Sequence, residues 1–89
     1  MNWETYLVEH YRPGLPLEDL RRAAGVIRAA VSAMEREGSP VRYLRSTIVP
    51  QDEAFLSVFQ AASEELVREA YERAGVCFDR ISRAIAADG

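Results

Sequence analysis

Apolar positions along this chain follow two periods. In residues 5–11, TYLVEHY, β-branched and aromatic types run up to an Arg-Pro-Gly segment, which predicts a strand followed by a turn. From there to Gly38 the spacing lengthens. Leu17, Leu20, Ala24, Ile27, Val31 and Met34 recur three and four residues apart, one apolar stripe of a helix. Glu18 and Asp19 stand in its first turn, where the helix dipole favours anions. Glu18 is spaced to pair with Arg22, and Gly38 and Pro40 end the helix. Gly25 costs about 1 kcal/mol relative to alanine inside a helix; a close approach to a sheet would account for it. Residues 41–49, VRYLRSTIV, and 54–60, AFLSVFQ, predict two strands joined through the polar PQDE turn as a hairpin. Ser63 is a suitable N-cap for EELVREAYERAG, with Glu64 and Glu65 in the first turn and Gly75 as C-cap. Glu64–Arg68 and Glu69–Arg73 are spaced as ion pairs on its outer face. Residues 80–86, RISRAIA, predict a last short strand.

The order β-α-β-β-α-β predicts an α+β, ferredoxin-like plait over 1–89 as a single domain: a four-stranded antiparallel sheet, order 4-1-3-2, with both helices on one face. Such a sheet should alternate apolar and polar residues, yet its strands carry apolar residues on both faces. Tyr6 and Val8 oppose Leu7 and Tyr11; Val41, Tyr43 and Val49 oppose Leu44 and Ile48; Leu56 and Val58 oppose Phe55 and Phe59. Helices can cover only one side, and monomers rarely leave a broad apolar patch in water. The expected remedy is a homodimer packed sheet to sheet, a dimeric α/β barrel with an interface of ~1,600 Å² or more.

Composition narrows the partners. A net charge of −3 disfavours nucleic acid, which wants a basic surface. The RNA-binding pattern for a third strand needs a basic residue, a glycine and aromatics at set offsets. Asp52, Ala54 and Leu56 fail it and only Phe59 fits. Cys77, the one cysteine, excludes an internal disulfide and a multi-cysteine zinc site. The N-terminus lacks a basic n-region and reads as no signal peptide, and no segment approaches the ~20 apolar residues of a membrane span. A cytoplasmic protein that binds neither nucleic acid nor membrane is the expectation.

The stretches YLVEHYRPGL, VRYLRSTIVPQDEAFLSVFQAASEELVREAYERAG and DRI resemble the DUF4242, nickel-binding-protein-like family of small bacterial proteins. The resemblance covers nearly the whole chain and implies a dimeric ferredoxin-like α/β barrel. One branch of that family binds nickel, and His10 matches a first-strand histidine of its metal-binding members. Those members carry a second adjacent histidine where this chain has Glu9 and Tyr11. Ser57 stands where a cysteine would suit a metal, and Tyr71 where other members carry a histidine. One imidazole alone is a poor nickel site, because nickel favours several nitrogen or sulfur donors.

His10, the one histidine, falls late in the first strand, beside Asp52 and Glu53 on one side and Cys77 and Asp79 on the other. His10 with Cys77, Asp79 or Glu53 is therefore the candidate metal or acid–base constellation, for nickel or another divalent transition metal. A structural histidine bonded to a carbonyl or carboxylate is the alternative. Glu9 points away from His10, since strand side chains alternate, and if turned inward would need Arg42 or Arg45 as partner. Cys77 reads either as a small loop residue or as a thiolate nucleophile. The leading functional expectation is a non-enzymatic homodimer holding a metal ion or a small apolar ligand. The alternatives are a cofactor-free monooxygenase or isomerase with His10 as general base, in a pocket between sheet and helices, and an interaction protein without a ligand.

Overall fold

A computed structural model describes residues 2–11 and 13–85. The elements are β1 (Glu4–Tyr11), α1 (Leu17–Arg36), β2 (Val41–Val49), β3 (Ala54–Ala61), α2 (Glu64–Ala74) and β4 (Arg80–Ala84), with a short 3-10 turn at Pro50–Asp52. All strand pairs are antiparallel, in the order β2-β3-β1-β4. The plait and its strand order are as the sequence predicts. The last strand stops at Ala84, while Ala86, and Arg12 in the first turn, lie outside the described residues.

The core fills the layer between sheet and helices. Val8 and Phe59 from the central strands, Ile27 and Met34 from α1 and Val67 from α2 are completely buried. The α1 stripe holds from Leu20 to Met34, but Leu17 at its start is 46% exposed. Gly75 closes α2 in the left-handed conformation, φ 68°, which glycine adopts without a Cβ clash. Ser63 takes the N-cap position without a side-chain hydrogen bond.

Three local expectations are overturned. Arg22 pairs with Asp19 at 3.0 Å, one helical turn away, rather than with Glu18. Gly25 is exposed, and a Cβ there would meet no atom within 4 Å, so no close helix–sheet approach explains it. In β2 a bulge between Tyr43 and Arg45 inserts one residue. Beyond it the faces exchange: Ser46 and Ile48 turn toward the helices opposite Ser57 and Phe55, and Val49 turns to the open side. Strict alternation from Val41 had assigned Ile48 and Val49 the other way.

The pairs Glu64–Arg68 (2.6 Å) and Glu69–Arg73 (2.7 Å) form as spaced. Arg73 also grips both carboxylate oxygens of Glu37, at 2.7 and 2.8 Å, tying the end of α2 to the end of α1. That grip holds the Glu37 carboxyl below its usual range. Both groups are solvent-exposed, so salt screens them and their contribution to stability is small.

Replacing Gly25 by alanine should raise stability by about 0.5–1 kcal/mol, since the site is helical and open. Chemical denaturation of Gly25→Ala checks this; a destabilised variant would mean that the position is packed against something.

Candidate functional site

Alternation along β1 turns Tyr6, Val8 and His10 under the helices, and His10 is 2% exposed. A buried imidazole needs partners for both nitrogens. Nδ1 lies 3.2 Å from the Cys77 carbonyl oxygen, and Nε2 lies 3.0 Å from the Tyr71 hydroxyl. A carbonyl can only accept, so Nδ1 carries a proton. A ring with its one proton on Nδ1 accepts from Tyr71 at Nε2. The Phe55 ring stands edge-on to the imidazole at 4.6 Å, opposite His10 in the β1–β3 pair.

From Tyr71 a line of hydroxyls crosses the core. Ser57 stands near Tyr71 and works against the rise of its phenol pKa, Ser57 lies 2.7 Å from Ser46, and Ser46 lies 2.5 Å from Tyr43. Each hydroxyl has one proton to give. With Tyr71 donating to His10, one consistent arrangement has Tyr43 donating to Ser46 and Ser46 to Ser57. No buried side-chain nitrogen or oxygen among the described residues is left without a partner. Burial pushes the Tyr71 phenol far above the ordinary tyrosine range, with the Ser57 bond opposing it.

The residues that the sequence groups around His10 each make a contact of their own. Cys77 reaches His10 through its backbone oxygen, and its side chain belongs to an exposed residue. The Asp79 carboxylate accepts from the Tyr11 amide at 2.7 Å, and the Asp79 amide donates to the Glu9 carbonyl at 2.9 Å. Glu53 accepts from the Gly14 amide at 2.8 Å, tying the β2–β3 turn to the β1–α1 connection, and holds a left-handed φ of 51°. Glu9 lies on the open face, 3.6 Å from Arg80. Its ion-pair partner among the described residues is Arg80, on the neighbouring β4, rather than Arg42 or Arg45 on β2.

Ser57 and Tyr71, which sequence comparison had singled out only as departures, are the side chains that meet His10 or its partner. Their spacing gave no signal, since 47 residues separate Ser57 from His10 in a chain that brings them together only by strand pairing. As donors to nickel the trio is poor: one imidazole and two hydroxyls, one of them a phenol whose proton burial retains. Among the described residues no three His, Cys, Asp or Glu side chains gather in a metal-holding group. A general base would use Nε2, the nitrogen that Tyr71 occupies.

A four-stranded plait with two helices on one face and a buried polar line through its core is the class of protein this geometry defines. Within that class, the chain belongs to the family described as Nickel responsive protein SCO4226-like, which matches residues 6–83. The fold is similar to the crystal structure of SCO4226 from Streptomyces coelicolor A3(2), with a TM-score of 0.73 and 20% identity over 94% of this chain and 99% of that one. Among curated proteins none matches.

Tyr71→Phe should cost about 1–3 kcal/mol, because it leaves His10 Nε2 short of a partner in the core. The raised phenol pKa also fixes a sign. A folded pKa above the unfolded value of about 10 gives stability that is complete below pH ~10 and lost as pH rises beyond it. Denaturation followed from neutral to alkaline pH should show that loss in the native protein and a weaker one in Tyr71→Phe; equal slopes would contradict the assignment.

Proposed function

We propose that the chain is a small homodimeric binding protein whose two sheets pack against each other and which holds a small, largely apolar molecule. The observation that carries the dimer is the open sheet face. Leu7 and Val58 sit opposite each other at its centre, with Leu56 and Val49 beside them, all half-buried on the side without helices. Arg42 borders this strip along β2, and the Glu9–Arg80 pair borders it toward β4. An apolar centre within a charged rim is the anatomy of a protein–protein contact, and a two-fold copy matches it to itself.

A recess of about 380 Å³ supports the small ligand. Leu15, Pro16, Leu17 and Leu20 wall it on the α1 side, and Ile48 and Val49 on the β2 side. Its size and lining suit a small apolar molecule. Val49 belongs to both the recess and the open face, so ligand and dimer contact meet at that corner.

The family description favours a second occupant, nickel or another divalent transition metal. That reading puts the ion at His10, with Cys77, Asp79 and Glu53 as further donors. It requires Tyr71 to release Nε2, and it is the weaker of the two. The cofactor-free enzyme reading would need the same release.

Sedimentation equilibrium at low micromolar loading should give about twice the 10.0 kDa chain mass. Val58→Glu should shift the species to one chain while leaving its circular dichroism intact; a native protein sedimenting as a single chain removes the dimer. Calorimetric titration of untagged protein with Ni²⁺ should release no stoichiometric heat. A one-to-one isotherm abolished in His10→Ala would establish the metal reading instead.

A further inference from the structure

Ile48 walls the apolar recess and also a second cavity, of about 770 Å³, lying between α1 and the edge strand β2. The two cavities therefore adjoin along one groove, and their linings differ in kind. The second is lined by Arg21 and Arg28 from α1 and by Arg45 from β2, with Glu35 as its one carboxylate. Arg21 and Arg28 are two helical turns apart and so share a flank of α1. The β2 bulge sits between Tyr43 and Arg45, both of which line the cavity. Arg28 rests over the Tyr43 ring at 5.6 Å.

Three guanidiniums facing one carboxylate is an unusual balance in a chain of net charge −3. Arg22, Arg68, Arg73, Arg80 and Arg83 each meet a carboxylate. Among the described residues no carboxylate comes within ion-pair distance of Arg21, Arg28 or Arg45. Cations crowded in a concave site without counter-charges raise the local concentration of anions. The planar guanidinium fork also matches a carboxylate in two parallel hydrogen bonds.

We propose that this groove binds a small amphiphilic organic acid, its apolar body in the recess beside Leu17 and Leu20 and its carboxylate among Arg21, Arg28 and Arg45. The assignment rests on the small-ligand reading above and names its ligand class. Tyr43, at the end of the hydroxyl series from His10, lines the carboxylate end and stacks on Arg28, holding one of the three cations in place.

The test uses the untagged full chain and three probes at submicellar concentration: decanoate, decanol and acetate. Decanoate should bind saturably, one per chain, at least about tenfold tighter than decanol, the difference a charge-assisted hydrogen bond supplies. Acetate, lacking the apolar body, should bind more weakly than either. Arg28→Gln should bring decanoate to the level of decanol and leave decanol unchanged, while Leu17→Gln should weaken both. Arg22→Gln, outside the groove, should change nothing. Decanol binding as tightly as decanoate, or Arg22→Gln weakening decanoate as much as Arg28→Gln, overturns the carboxylate assignment and leaves the small-ligand reading standing. Acetate binding as tightly as decanoate overturns the place given to the apolar body. If neither decanoate nor decanol binds, both readings fall.

Discussion

An imidazole with 2% of its surface exposed is stable in a protein core only when both nitrogens are bonded, and His10 draws those bonds from two different places. One comes from α2 through Tyr71, the other from the α2–β4 connection through the Cys77 carbonyl. The same strand position thus fixes how α2 lies on the sheet and where the chain must pass before β4 begins. An unmade bond to a buried polar group costs more than a made one gains, so departures from this arrangement are penalised sharply. The hydroxyls of Ser57, Ser46 and Tyr43 extend the requirement across β3 to the edge strand β2.

That polar line has a functional consequence. Where the nickel-responsive family name invites a metal, this chain places a hydrogen-bonded series whose members satisfy one another. A phenol that burial keeps protonated and a serine hydroxyl near it supply hard, weakly coordinating oxygens beside one imidazole. The same residue types serve well as core polar groups, being small or aromatic and able to donate and accept at once.

The two faces of the sheet divide the remaining work. Under the helices the layer is closed and supports the fold. On the far side Leu7, Leu56 and Val58 make a half-buried apolar surface, and the bulge in β2 moves Val49 onto it. The groove along α1 lies at the border between these regions. It combines an apolar end near the helix start with a cationic end along its middle, so its chemistry is set by which flank of α1 lies next to the core stripe.

Periodicity alone determined the elements, their order and the two-faced character of the strands, because side-chain spacing of two or of three to four residues is a property of the local backbone. The predicted strand order also set His10 beside Cys77, Asp79 and Glu53; in the fold Cys77 meets the ring through its backbone oxygen, while Asp79 bonds the Tyr11 amide and Glu53 the Gly14 amide. Only the tertiary structure decided what each of those groups does. Tyr71 lies 61 residues from His10 and Ser57 lies 11 from Ser46, so their meeting depends on register and on the seat of α2. One inserted residue after Tyr43 reverses the faces of Ile48 and Val49, and no spacing rule foresees it, since a bulge answers to the partner strand. The arginines of the groove were readable as letters but not as a cluster. Their shared cavity arises where a helix flank passes an edge strand, a relation that exists only once the chain has folded.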